Sequence, residues 1–182
     1  MYQRLNEFNV PPNFRGRSVV VVQLWWFVQS SLFCLSPQFA YSWRNFLLRL
    51  FGAEIGKNVI IRPSVRITYP WKLTIKDNAW VGDYVDLYTL GDITIGKNAV
   101  VSQKSYLCTG SHDYQSEAFD IYAKPIVIED EAWVASDVFI APGVTIGKGA
   151  VIGSRSSVYK DMPEGMMCIG NPARPIKPRL DK

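Results

Sequence analysis

The sequence has few of the residues that build disulfides and metal centres. Its 182 residues include one histidine and three cysteines, and Cys34, Cys108 and Cys168 are widely spaced without a Cys-x-x-Cys pair. An odd number of scattered cysteines fits neither a disulfide framework nor zinc-ligand spacing. We therefore expect reduced cysteines, no metal and a cytoplasmic location.

Concentrated charge and a leader sequence are also lacking. The formal net charge is only +4, and the basic residues form neither an aromatic RNA-binding motif nor a recognition helix, so nucleic acid is not an expected partner. The first eighteen residues are polar and proline-rich, which predicts no cleavable signal peptide. A hydrophobic content of 48% is typical of a folded domain with a sizeable core.

What the sequence does contain is an aliphatic residue at every sixth position over about a hundred residues, with two-residue insertions at Leu73–Ile75 and Ile93–Ile95. An α-helix or a lone strand does not produce this period, whereas a triangular coil of three short strands per turn does. The pattern predicts an all-β solenoid at residues 53–160, with a β-sandwich as the alternative. We call the aliphatic residues of this repeat the ladder. They are Ile55, Ile61, Ile67, Leu73, Ile75, Val81, Leu87, Ile93, Ile95, Val101, Leu107, Ile128, Val134, Ile140, Ile146, Ile152 and Val158.

Residues 1–52 precede the ladder and are predicted to form an arm and helices. Val19 to Leu35 carries no charge in seventeen residues. Such a run forms a helix packed on protein, a helix in the membrane interface, or a short span. Trp25, Trp26 and the arginines before the run support the interfacial alternative, and hence a peripheral contact at the inner face of the membrane.

A second helix is predicted between Ser36-Pro37, an N-cap with proline at the first helical position, and Gly52. We expect it to cap the open end of the solenoid, because an uncovered first coil exposes apolar surface and unpaired strand edges. The residues expected on its apolar face are Phe39, Trp43, Phe46, Leu47 and Leu50.

The ladder is interrupted between Leu107 and Ile128, which predicts one protruding loop at about residues 113–125. His112 stands where the ladder breaks, so we expect it at a coil edge, where a neutral imidazole can act as a general base. The alternative is a structural or surface histidine. Residues 161–182 are predicted to form a strand and a basic tail.

Several segments resemble the hexapeptide-repeat acyltransferases. They are the ladder, the TGSHD motif at Thr109–Asp113, residues 126–133, where the repeat resumes after the loop, and the segment Ile169–Arg174 near the C-terminus. The similarity covers nearly the whole chain. The resemblance implies a left-handed parallel β-helix, a homotrimer, and acetyl-CoA bound between neighbouring subunits. It further implies O-acetylation of an exopolysaccharide precursor of the colanic-acid type, on a sugar or a lipid-linked oligosaccharide.

The same resemblance assigns roles to individual residues. His112 matches the base that takes the proton from the acceptor hydroxyl. Asp86 stands where sugar acetyltransferases usually have an acceptor-binding asparagine; a carboxylate accepts hydrogen bonds without donating them. Trp133 matches an aromatic residue beside the cofactor channel.

The remaining cofactor positions carry small, aromatic or basic side chains. Ser136 and Ser154 match positions beside the pantetheine arm; Tyr159, Lys160, Arg174 and Lys177 match the nucleotide end, where cations suit phosphates. The alternatives are corner packing for the serines and Tyr159, and a solvated tail for Arg174 and Lys177.

Other functions remain as alternatives. The carbonic-anhydrase branch of left-handed β-helices needs several histidines for its metal, and this chain has one. An acetyltransferase acting on a soluble sugar or small xenobiotic and a non-catalytic trimeric scaffold at the membrane stay open.

Overall fold

The ladder residues line the axis of a left-handed parallel β-helix in the computed structural model, which describes residues 2–180. All of them except the half-buried Ile55 are at most 3% exposed. Residue 1 of the predicted arm and residues 181 and 182 of the predicted tail lie outside the described part. The predicted solenoid is therefore confirmed, and the β-sandwich alternative is wrong.

The helical and extended elements follow one another in chain order. Two α-helices, α1 at Val19–Val28 and α2 at Tyr41–Leu50, precede the coil; α1 continues as a π-helical turn at Gln29–Phe33, and short 3-10 turns lie at Leu5–Glu7 and Pro70–Lys72. The strands are β1 Glu54–Ile55, β2 Ile60–Ile61, β3 Arg66–Ile67, β4 Leu73–Ile75, β5 Trp80–Val81, β6 Asp86–Tyr88, β7 Ile93–Ile95, β8 Val100–Val101, β9 Tyr106–Cys108, β10 Gly110–His112, β11 Ile121–Ala123, β12 Ile126–Ile128, β13 Trp133–Val134, β14 Phe139–Ile140, β15 Thr145–Ile146, β16 Val151–Ile152, β17 Ser157–Val158, β18 Met166–Gly170 and β19 Ala173–Pro178.

Three sheets, parallel except for the antiparallel pair β18–β19 in sheet B, form the faces of the coil. Sheet A has the order β1-β4-β7-β12-β15, sheet B has β19-β18-β16-β13-β8-β5-β2, and sheet C has β17-β14-β9-β6-β3. Each ladder residue pairs with its counterpart one turn away; Ile95, for example, pairs with both Ile75 and Ile128. The register thus survives the excursion of the chain between Leu107 and Ile126.

Left-handed backbone at the corners lets the chain turn between sheets. Asn58, Asn78 and Asn98 adopt positive φ angles, which asparagine tolerates better than most residues. Their side chains form an amide ladder, with Nδ2 of Asn58 donating to Oδ1 of Asn78 at 3.2 Å and Nδ2 of Asn78 donating to Oδ1 of Asn98 at 3.1 Å. The conformational preference of asparagine and the hydrogen bonds between turns therefore both favour asparagine at this corner.

Helix α2 covers the first coil as predicted, but the predicted contact face is wrong. Its buried residues are Arg44, Asn45, Leu47 and Leu48. Nδ2 of Asn45 donates to the carbonyl of Val59 at 2.8 Å. The first coil has no preceding turn to pair with its carbonyl groups, so donor side chains face it instead. Of the predicted face only Leu47 is buried; the residues at least 42% exposed are Phe39, Trp43, Phe46 and Leu50.

The predicted start of α2 is also wrong. The helix begins at Tyr41, while Ser36 to Ala40 forms turns. The carbonyl oxygens of Pro37 and Gln38 accept hydrogen bonds from the Arg44 guanidinium at 2.8 and 2.7 Å. These carbonyls are therefore committed to a side chain rather than to a first helical turn.

Helix α1 packs on the coil, as the first of the three alternatives predicted. Trp25 is completely buried, and its indole N–H donates to the carbonyl of Ile67 at 2.8 Å. The interfacial alternative is therefore wrong for Trp25, whereas Trp26 is 42% exposed. Within residues 2–180 no helix has the length and apolar character needed to cross a membrane.

Two hairpins depart from the coil. The predicted protruding loop is confirmed, and its base is the antiparallel pair β10–β11, with residues 113–120 at its tip. Near the C-terminus the chain contains two strands rather than the single strand predicted, because β19 folds back antiparallel on β18 at the edge of sheet B.

Candidate active site

His112 lies on β10, opposite Ile121 of β11, and its side chain is half-buried. Its Nδ1 atom is 2.7 Å from the carbonyl oxygen of Phe119. A carbonyl oxygen only accepts hydrogen bonds, so this contact requires the proton on Nδ1 and leaves the lone pair of Nε2 available. In its neutral form such an imidazole can accept a proton at Nε2.

Aromatic rings surround the imidazole. The Phe119 ring stacks on it with centroids 4.1 Å apart and planes 8° apart, and the Phe8 ring from the N-terminal arm lies 5.6 Å away. Neither phenylalanine was predicted from the sequence. Each lies outside the ladder, and no repeat or motif distinguishes it from an ordinary loop residue.

Asp86 lies on the outer face of sheet C, where it pairs in register with Arg66 on one side and Tyr106 on the other. It lines a cleft of about 490 Å³ beside helix α1, together with Trp26 and Tyr88. Burial raises the pKa of the Asp86 carboxyl, and the nearby Arg66 opposes that effect. The ionised form of the Asp86 carboxyl is therefore less favoured in this cleft than it is in water.

An aromatic column runs across four turns on the same face. Tyr88, Tyr106, Phe139 and Tyr159 contact one another in sequence, with ring centroids 6.0, 5.9 and 5.8 Å apart. This column places Tyr159, one of the predicted cofactor residues, directly after β17, the edge strand of sheet C. The sequence held a signal for it, because Tyr106 and Phe139 immediately precede ladder residues and must point outward.

Trp133 lies on the outer face of sheet B and is 45% exposed. Its indole N–H donates to Oγ of Ser102 at 3.0 Å. Trp80 lies two turns away in the same row, with Val100 between them. Together these side chains line a groove of about 680 Å³, which also includes Gln103.

The other predicted cofactor residues occupy corners and the C-terminal hairpin. Ser136 and Ser154 lie on successive turns at the corner between sheets B and C, where the N–H of Arg155 donates to the carbonyl of Ser136 at 3.0 Å. Lys160 follows β17 and is exposed. Arg174 and Lys177 are exposed on β19.

One chain does not bring the predicted base and the predicted pantetheine residue Ser136 together. His112 follows the carboxyl end of β9, whereas Ser136 precedes the amino end of β14, its neighbour in sheet C. The two lie at opposite ends of adjacent strands. Across residues 2–180, histidine, cysteine and acidic side chains form no group of three or more suited to a metal ion.

Comparison with known proteins supports this architecture. The family described as bacterial transferase hexapeptide (six repeats) matches residues 125–160, which places the later turns of the coil in that class. The putative colanic acid biosynthesis acetyltransferase WcaF of Escherichia coli K12 is 63% identical over 179 residues, 98% of each chain. The galactoside O-acetyltransferase of the same strain is 33% identical over 76% of this chain and 70% of its own length.

Two solved structures share the fold. A galactoside acetyltransferase in complex with coenzyme A superposes with a TM-score of 0.82 at 27% identity, covering 95% of this chain and 93% of that one. A hexapeptide-repeat acetyltransferase of Vibrio cholerae complexed with acetyl coenzyme A has a TM-score of 0.81 at 26% identity, covering 91% and 92%. The chain belongs to the hexapeptide-repeat acyltransferases, and the protein is an enzyme of that class.

Proposed function

We propose that this enzyme transfers the acetyl group of acetyl-CoA to a sugar hydroxyl of an exopolysaccharide precursor, with His112 as the general base. The observation that carries the proposal is the contact between Nδ1 of His112 and the Phe119 carbonyl, which leaves Nε2 unprotonated. The 63% identity to a putative colanic acid biosynthesis acetyltransferase, over 98% of the chain, supports the acceptor class.

The proposed reaction is a direct transfer. Nε2 of His112 removes the hydroxyl proton as the acceptor oxygen forms a bond to the thioester carbonyl carbon. The carbon–sulfur bond then breaks, and the imidazolium returns the proton to the departing thiolate. The products are a sugar acetate ester and free coenzyme A, without a covalent acetyl-enzyme.

We propose that the complete site lies between subunits of a homotrimer. The support is the placement of His112 and Ser136 at opposite ends of adjacent strands, which a neighbouring subunit can bring together. Trp133, Ser136 and Ser154 would then line the pantetheine channel, and Tyr159 would lie at the nucleotide end. The cations Lys160, Arg174 and Lys177 would meet the phosphates of the nucleotide.

Asp86 is the proposed acceptor contact. Its carboxylate can accept hydrogen bonds from sugar hydroxyls in the cleft beside α1, and Arg66 can donate to sugar oxygens from the next turn. This pairing differs from a single amide, which both donates and accepts.

A lipid-linked acceptor at the inner face of the membrane is the further proposal. Its support is the outward apolar face of the two N-terminal helices together with the complete lack of acidic residues between positions 8 and 53. The exposed apolar residues of these helices and of the turns that join them are Val20, Leu24, Phe27, Leu32, Leu35, Phe39, Trp43, Phe46 and Leu50.

Labelled acetyl-CoA tests the proposal. The purified enzyme should transfer label to lipid-linked oligosaccharide from its own host, and His112→Ala should reduce turnover by about 10²–10⁴-fold. Full activity of His112→Ala would refute the base. Transfer only to free sugars would favour the soluble-acceptor alternative, which the similarity to a galactoside O-acetyltransferase supports. Calorimetry showing no coenzyme A binding would favour the scaffold.

A further inference from the structure

Phe119 has an unusual backbone conformation for a bulky residue. Its φ angle is +54°, in the left-handed region that side chains with a Cβ atom rarely adopt. Hydrogen bonds within the loop tip hold it there, because its N–H donates to the Ser116 carbonyl at 3.0 Å and the N–H of Asp113 donates to the Asp120 carbonyl at 2.8 Å. The loop closes on itself around this residue.

The conformation lets one residue make two contacts with His112. The Phe119 carbonyl accepts the Nδ1 proton, and the Phe119 ring lies flat against the imidazole. The hydrogen bond selects the tautomer, and the stacking fixes the plane of the ring. A residue with ordinary φ at this position would direct its carbonyl and its ring elsewhere.

The N-terminal arm is attached to the same loop tip. The N–H of Arg4 donates to the carbonyl of Glu117 at 2.6 Å, and Nε of Arg4 lies 3.4 Å from Oε2 of that residue. Phe8, four residues further along the arm, contacts the imidazole. The arm therefore touches both the loop that carries Phe119 and the histidine.

We propose that Phe119, held in its left-handed conformation by the loop tip and the N-terminal arm, is the positioning residue that fixes the tautomer of His112. The proposal rests on the assignment of His112 as the base. It identifies a residue that acts through His112.

Nitrogen-15 spectra of the imidazole test this directly. The chain has one histidine, so labelling histidine gives a single pair of ring signals. At about pH 8, above the ordinary histidine pKa, we expect a protonated Nδ1 and a bare Nε2 in the wild-type enzyme. A proton on Nε2, or averaging between the two tautomers, would overturn the proposal whatever the fate of any variant.

Two substitutions separate the backbone from the ring. Phe119→Asn removes the ring but tolerates positive φ, whereas the β-branched Phe119→Val disfavours it. Phe119→Asn should keep the Nδ1 proton. Phe119→Val should mix the tautomers and lower kcat by about 10²-fold, with KM for acetyl-CoA unchanged. Equal tautomer spectra for the two variants would contradict a role for the backbone conformation. If Phe119→Val does not fold, the wild-type and Phe119→Asn spectra decide.

Phe8→Ala tests the arm, with the exposed Tyr2→Ala as its matched control. We expect tautomer averaging in Phe8→Ala and a wild-type spectrum in Tyr2→Ala. A wild-type spectrum in both would remove the arm from the proposal. Because the spectra need no acceptor, a positive spectral result together with an active His112→Ala variant would refute the proposed base while leaving the positioning geometry in place.

Discussion

Nε of Arg44 donates a hydrogen bond of 2.7 Å to the carbonyl oxygen of Ile61, a ladder residue of the first coil. The same side chain is completely buried and also binds Ser36 Oγ and the carbonyls of Pro37 and Gln38. Burial lowers the pKa of the guanidinium because it removes water from around the charge. The oxygen acceptors take the place of that water. Arg44 joins the helical cap to the open end of the solenoid.

Arg44→Leu should therefore destabilise the protein strongly. The substitution leaves the buried carbonyl of Ile61 and the part-buried carbonyls of Pro37 and Gln38 without the guanidinium donors. A buried acceptor without a donor costs about 1–3 kcal/mol, so we expect a loss of about 3 kcal/mol in the free energy of unfolding. Urea denaturation measures the loss. The exposed Arg155→Leu is the control and should change stability by about 0.5 kcal/mol or less. Similar effects of both substitutions would show that Arg44 does not hold the cap.

Gly96→Ala should disrupt the stacking of turns. A Cβ atom at this position would lie 2.5 Å from the backbone nitrogen of Asp130 on the next turn. The backbone of a packed coil cannot move aside cheaply, so we expect a loss of about 2 kcal/mol or more. At Gly149, a Cβ atom meets nothing within 4 Å but φ is +65°, so Gly149→Ala should cost only about 1 kcal/mol. Thermal melts that rank the two in the opposite order would contradict this interpretation.

Asp86→Asn should stabilise the folded chain at neutral pH. Burial raises the pKa of Asp86 in the fold, so the unfolded state binds fewer protons above about pH 4, and wild-type stability falls as pH rises through that range. The neutral variant avoids this loss. Melting temperatures should differ at pH 7 and converge below about pH 4. Exposed Asp92→Asn is the control, and an Asp86→Asn variant less stable than wild type at pH 7 would contradict the expected sign.

The exposed helical face should bind anionic vesicles. We expect Phe27→Ser combined with Phe46→Ser to reduce co-sedimentation with phosphatidylglycerol-containing vesicles by about tenfold, since two aromatic side chains lose apolar contact. Tyr84→Ser combined with Tyr114→Ser, which removes two exposed aromatic residues elsewhere, is the matched control. Binding that is unaffected in the helix variant, or reduced equally in the control, would count against this face as the docking surface.

The sequence specified the coil because its information is periodic. The position of each ladder residue from Ile61 to Val158 in the six-residue repeat predicts that the residue is buried. The register between turns follows from the same spacing. His112 was also predictable as a candidate base, since it is the one histidine and stands at the break in the repeat.

Only the tertiary structure decided which groups contact the open end of the solenoid and which groups contact His112. Arg44, by its charge, belongs on the exposed side of an amphipathic helix, yet it is buried because the first coil presents unpaired carbonyls there. The contact between His112 and Phe119 likewise depends on how a non-repeating loop closes, and no periodic pattern encodes that closure. The six-residue repeat determines the coil. The contacts at its ends and edges are not repeated, because there the backbone groups have no neighbouring turn to supply their hydrogen-bond partners.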